Sequence, residues 1–214
     1  MMKELKVFGA KKVNSESSAA EISGLLNGQD KQEIGNVPWP EYPYRPDAHF
    51  TIAYGSDCIF LKYFISEKEL RAANSQPNSP VYQDSCVEFF VSFNNGTHYY
   101  NFEINCIGTI LAAYGPDRAN RAFLPEPVIQ TIKTFITIDK LNKAGFYNWE
   151  LIAVIPLSSF IHDEFDSIQG IRALANFFKC GDMLKDPHYL SWNEINTSEP
   201  DFHRPEFFGN LLFE

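Results

Sequence analysis

The stretch DSCVEFFVSFNNGTHYYNFEIN, from Asp84 to Asn105, constrains the fold of this chain more than any other. Two runs of alternating side chains flank Asn95-Gly96, the strongest short-range signal for a β-hairpin with a two-residue turn. In the second run Tyr100, Phe102, Ile104 and Cys106 alternate with Tyr99, Asn101, Glu103 and Asn105, so the even positions face a core. In the first run Val87, Phe89 and Val91 take the core face, and Cys86, Glu88, Phe90 and Ser92 take the other. Opposed residues of an antiparallel pair share a face, so a residue with an odd number must oppose one with an even number. A turn at Asn95-Gly96 pairs Asn94 with Thr97 and satisfies that condition. It sets Val87 opposite Ile104, Phe89 opposite Phe102, Cys86 opposite Asn105, and Glu88 opposite Glu103.

The last pair is the anomaly. Like charges directly opposite one another destabilise a sheet by about 0.2–1 kcal/mol. Either the carboxylates are solvated and screened by a neighbouring Lys or Arg, or Glu88, Glu103 and Asn105 form a polar floor. Such a floor would hydrogen-bond sugar hydroxyls, bind a cation, or serve as an acid/base pair.

Other short runs repeat the strand pattern: AHFTIAY, CIFLKYFI, TILAAYG, QTIKTFITI, FYNWELIAVIP and GIRALANFFKC, with a further short strand near Leu5 to Phe8. Aromatic residues reach 15%, with 19 Phe and 10 Tyr, a composition that suits pleated surfaces. Helical turns are expected only within KKVNSESSAAEISGLLNG and SEKELRAAN, too short for a βαβ crossover. The pattern predicts an all-β fold, an antiparallel, jelly-roll-like β-sandwich with short helical turns and long loops. VPWPEYPYRP carries four prolines in ten residues, which excludes helix and central strand. Its Trp39, Tyr42 and Tyr44 are expected to pack against the sandwich.

A net charge of −9 without a basic stripe disfavours nucleic acid and anionic membranes as partners. No segment is apolar for long enough to span a bilayer, and none near Met1-Met2 reads as a signal peptide. Cys58, Cys86, Cys106 and Cys180 lack C-x-x-C spacing, and three of them lie in apolar runs. The expectation is a cytoplasmic protein with reduced thiols; a secreted or periplasmic location would require a leader already removed.

YQDSCVEFFVS, then YYNFEIN, then YLSWNEI and RPEFFGNLLFE together resemble the family 9 carbohydrate-binding modules, in the same order over about residues 48–214. No linker interrupts the chain, so a single domain over residues 1–214 is expected. Residues 48–214 would form its core, and residues 1–47 an N-terminal strand and a wrapping Pro-rich segment. The resemblance implies a non-catalytic protein that holds a mono- or oligosaccharide between two aromatic rings, in the service of carbohydrate breakdown. The family's hairpin carboxylate matches Glu88, its second-strand asparagine matches Asn105, and its late aromatic matches Trp192. Its earlier tryptophan, six residues before the glutamate, falls on Tyr82. The family arginine falls on Glu103, so Arg118, Arg121 or Lys179 must supply the charge, or the ligand differs. Asn176 is a further candidate for the site face.

Two other readings compete. A glycoside hydrolase would use Glu88 and Glu103, since opposed Cβ atoms about 4.5–5.5 Å apart suit the retaining geometry of about 5–5.5 Å. Catalytic carboxylates must flank the scissile bond, however, and neighbours pointing the same way do so poorly. The third reading is a structural or interaction domain without ligand. His49, His98, His162, His188 and His203 have no metal-ligand spacing, and only coincidence joins Met183 to a histidine as a haem pair. No cofactor is expected, beyond a structural Ca²⁺ to which Asp182 and Asp201 would contribute oxygens.

Overall fold

The computed structural model describes residues 2–139 and 145–214. The hairpin forms in the register that parity and turn chemistry require: Cys86 opposes Asn105, Glu88 opposes Glu103, and Phe89 opposes Phe102. Asn95 and Gly96 both have positive φ, 59° and 81°, the backbone of a type I′ turn whose twist matches the flanking strands.

Thirteen strands are present among the described residues. The N-terminal part supplies β1 (Glu4–Gly9), β2 (Gln32–Glu33), β3 (Asp47–Tyr54) and β4 (Cys58–Glu67). The hairpin is β5 (Cys86–Ser92) and β6 (Tyr99–Asn105), continued by β7 (Ile110–Gly115) and β8 (Ala122–Phe123). Then come β9 (Lys133–Ile138), β10 (Tyr147–Pro156), β11 (Arg172–Cys180), β12 (Tyr189–Ser191) and β13 (Gly209–Phe213). One layer runs β8-β7-β6-β5-β11-β13, with β12 also paired to β11; the other runs β3-β4-β10-β9, with β2 on β3. Strand β1 belongs to both. Its Glu4–Val7 half pairs with β13 and its Phe8–Gly9 end with β3, in each case in parallel. The expected antiparallel sandwich is therefore mixed at this one corner.

The two layers close over a shared aromatic core. Phe50 of β3 stacks on Phe177 of β11 with ring centroids 3.7 Å apart, and Trp192 meets both rings edge-on. Tyr63 of β4 reaches across to donate to the Glu88 carbonyl at 3.0 Å.

Of the two expected helical turns, one forms. Helix α1 (Ala19–Asn27) starts at Ser18, which accepts from the Glu21 backbone N–H, while the Glu21 carboxylate accepts from the Ser18 N–H. This reciprocal capping box satisfies donors that a helix start leaves free. SEKELRAAN does not form a helix, because its backbone donors are taken by side chains across the chain. Asp84 accepts from the Ala73 and Asn74 N–H groups and pairs with Arg71, and Ser85 accepts from the Arg71 N–H.

The outer face of β5, β6 and β11 is covered as well. Trp39 of the Pro-rich segment is buried against Tyr189 and Phe202, and Phe202 stacks on Phe178 of β11 with centroids 4.1 Å apart. Phe90 and Tyr99 stack beneath Phe208 in the same layer. A strand buried on both faces is apolar at both parities. That explains why GIRALANFFKC shows no clean alternation.

Candidate functional site

The second layer leaves a cleft over β5, β6 and β11, with a volume of ≈ 310 Å³. Ligand pockets run from about 300 to 1,000 Å³, so this one suits a single ring or little more. Glu88 and Glu103, opposed on the hairpin, both line it, as do Arg118 and Arg121 from the loop after β7. Tyr82, from the turn before β5, and Tyr189, from β12, add two half-buried rings. Asp182 follows β11, and Asp201, Phe202 and His203 come from the C-terminal segment.

The hydrogen bonds are incomplete in an informative way. Glu103 Oε1 accepts from Asn101 Nδ2 at 3.0 Å and from Arg121 Nη1 at 3.2 Å. Glu103 Oε2 has no partner among the described residues, although the side chain is buried. Glu88 Oε1 accepts from the Cys180 thiol at 3.1 Å. Arg121 Nη1 also lies 2.9 Å from His203 Nε2, while His203 Nδ1 lies 2.9 Å from the Tyr99 hydroxyl. Arginine only donates, so Nε2 is the acceptor and Nδ1 carries the ring proton.

Burial, followed by the charge of Glu103, pushes the Glu88 carboxyl well above the ordinary carboxylate range. Burial likewise lifts Glu103 to about 7, against the pull of Arg121, and Asp182 to about 6, against that of Arg118. Burial and the positive charge of Arg121 lower His203 to about 2, so its imidazole is neutral. Two adjacent acids in a low-dielectric pocket thus hold protons that free carboxyls would have lost.

The structure brings Tyr82, Glu88, Glu103, Arg118 and Arg121 together, while Asn105, Trp192, Asn176 and Lys179 fall elsewhere. Asn105 is fully buried and does not line the cleft. Its Nδ2 donates to the Asn74 carbonyl and to Asp84, and its Oδ1 accepts from the Ile107 and Thr109 N–H groups. With these bonds made, it shapes the turn between β6 and β7. Trp192 lies in the core between the sheets, on the opposite side of the layer from Glu88. Side chains alternate along β12, so when Leu190 and Trp192 enter the core, Tyr189 is the one that reaches the cleft. Parity within YLSW was the signal that would have found it. Asn176 points to the outer side but is covered: its Oδ1 accepts from the Asn193 and Phe177 N–H groups, and its Nδ2 donates to the Asn193 carbonyl.

Lys179 is not the missing cation, since it faces the core and pairs with Glu67 at 2.9 Å. Arg121 takes that role beside Glu103. Tyr189, Pro200, Phe202 and His203 line the cleft without having been singled out for it by the sequence. The last two sit in an irregular loop where no periodicity marks which side chains point inward.

Asp182 and Asp201 line the cleft, but the metal-capable atoms that converge among the described residues belong to Cys86, Glu88 and Cys180, all within 4.8 Å of one another. Two thiols and one carboxyl do not suit calcium, which takes six to eight oxygens. All four cysteines are free and buried. No helix among the described residues is long and apolar enough to cross a membrane.

The molecule is thus a mostly β sandwich with an aromatic and carboxylate cleft on its outer face. The model of carbohydrate-binding family 9 matches residues 23–213, and the chain belongs to that family. A structure described as a "putative carbohydrate-binding protein" from Bacteroides uniformis ATCC 8492 is 37% identical, covers 100% of both chains, and superposes with a TM-score of 0.92. A family 9 carbohydrate-binding module from Caldicellulosiruptor kristjanssonii in complex with glucose shares the fold at 14% identity, with a TM-score of 0.61 over 99% of this chain and 96% of that one. The same organism's family 9 module in complex with cellotriose gives 12% identity and a TM-score of 0.60 over 99% and 94%. No curated protein matches the chain.

Proposed function

We propose that this protein binds a mono- or oligosaccharide in the cleft, without hydrolysing it, as an accessory to carbohydrate breakdown. The observation that carries the reading is the meeting of two aromatic rings, Tyr82 and Tyr189, with Glu88, Glu103 and Arg121 in one ring-sized cleft. A pyranose presents an apolar C–H face to an aromatic ring and a rim of hydroxyls to polar groups. Carboxylates accept from those hydroxyls and a guanidinium donates to ring or hydroxyl oxygens, both as charge-assisted bonds. Family membership and the two Caldicellulosiruptor family 9 structures, one with glucose and one with cellotriose, support the ligand class.

Binding is favoured over hydrolysis by the placement of the two glutamates. They are cross-strand neighbours on one face, and the charge of Glu103 adds to burial in raising the Glu88 carboxyl. They do not stand on opposite sides of a bond, as acid and nucleophile or base must.

Titration calorimetry with glucose, cellotriose and a panel of other mono- and disaccharides tests the reading. Saturable heat that disappears in Glu88→Gln is expected. A folded protein that gives no heat with any sugar, or one that releases reducing ends from glycans, would overturn it.

A further inference from the structure

Acidic side chains outnumber basic ones around the cleft. Four carboxyl groups line it, on Glu88, Glu103, Asp182 and Asp201, against two guanidiniums, on Arg118 and Arg121. His203 contributes no compensating charge, because Arg121 donates to its Nε2. Arg121 engages only one oxygen of Glu103, a residue that lines the cleft; the other, Oε2, is buried and has no partner among the described residues. A buried acceptor left alone costs about 1–3 kcal/mol, more when charged, so an oxygen of this kind marks where a ligand's donor belongs.

A neutral sugar hydroxyl would supply one donor and leave the buried acids holding their protons, with no cation in place of them. An ammonium supplies three donors and a positive charge together. The rings of Tyr82 and Tyr189 border the same cleft, and aromatic faces attract cations while stacking on the apolar side of a sugar ring. The elevation of Glu88, Glu103 and Asp182 by burial fits a site in which a cation is the missing partner. A bare metal ion would leave the ring-sized space and both tyrosines unused. Resting on the saccharide reading above, we infer that the cleft selects an amino sugar, with a free ammonium on its ring directed at Glu103 Oε2.

The experiment compares three ligands by titration calorimetry on the full chain at neutral pH: 2-amino-2-deoxyglucose, its N-acetyl derivative, and glucose. The amino sugar is expected to bind at least about tenfold more tightly than either neutral counterpart. Glu103→Gln should bring the ratio of amino sugar to glucose affinity down towards one, and Asp182→Asn should lower it by a smaller factor. Thermal melts establish that each variant is folded; Asp182, away from the strand pairing, gives a second readout should Glu103→Gln fail to fold. Equal affinities for the three ligands would overturn the selectivity and leave saccharide binding standing. Heat from the neutral sugars alone would do the same. No binding of any of the three or of the wider sugar panel would remove both readings.

Discussion

Strand β11 ends on two adjacent residues, Lys179 and Cys180, that enter two buried polar regions on opposite faces of one layer. Inward, Lys179 pairs with Glu67 of β4 and donates to the Cys180 carbonyl at 2.8 Å and to His188 Nε2 at 2.9 Å. Trp149 of β10 donates to Glu67 Oε1 at 2.7 Å. Burial, with the charge of Lys179, lowers His188 to about 2, so it stays neutral and accepts. Here one cation matches one anion, and the cluster ties the two sheets together. Outward, Cys180 donates to Glu88 in the cleft, where acids outnumber cations and one Glu103 oxygen is unsatisfied. Burial of charge does not itself mark a site. A matched buried charge is scaffold; an unmatched one beside an open cleft calls for a ligand.

The largest effect should come from breaking the matched side. Lys179→Met leaves Glu67 buried without its cation and should cost about 3–5 kcal/mol of stability, read by urea unfolding. Adding Glu67→Leu should restore much of that loss, because replacing both charges by apolar groups removes the uncompensated one. Recovery by the double variant tests whether the pair acts as scaffold.

Asn105→Ala is the next largest. Losing a fully bonded buried amide should cost about 1–3 kcal/mol in the same assay, with little change in sugar affinity among folded molecules. A large affinity change at unchanged stability would move Asn105 back to the binding side.

On the unmatched side the expected pattern reverses. Glu88→Gln should weaken sugar binding about 10-fold, the scale of a lost hydrogen bond, with little loss of stability because burial already favours the uncharged carboxyl there. Calorimetry and thermal melts on one sample separate the two effects.

A smaller, graded effect concerns pH. The folded pKa of Glu103, about 7, exceeds its ordinary value of 4.5, so the native state holds a proton that the unfolded chain has released. Stability from this group is fully present below about pH 4.5 and is lost as pH rises through about 7, with a slope of at most ~1.4 kcal/mol per pH unit for one proton. The stability difference between wild type and Glu103→Gln should therefore change in favour of the variant from pH 5 to pH 7. A difference that is flat with pH would mean that Glu103 is ionised throughout.

Much of the fold was legible because period-two patterning and an Asn-Gly turn are local signals. The hairpin register, down to Glu88 opposite Glu103, needed only parity and turn chemistry. The strand β1, shared in parallel by two sheets, has no such mark, because nothing in ELKVFG names its partners. SEKELRAAN has helix-forming residues, but Asp84 and Ser85 capture its backbone from a distance. The site was half legible for a related reason. Glu88 and Glu103 stood out as a local conflict, and Arg121 could be named as a counter-ion but not placed. Trp192 matches the family's late aromatic along the sequence, whereas the facing of β12 is set by which residues reach the inter-sheet core. His203 and Phe202 arrive on a loop whose path depends on Trp39, more than a hundred residues earlier.

The most direct test of the central claim is a crystal structure of the protein grown with a saturating sugar. The account predicts a pyranose ring between Tyr82 and Tyr189, with a donor of the ring within hydrogen-bonding distance of Glu103 Oε2. A ring bound elsewhere on the surface, with the cleft holding only solvent, would contradict it.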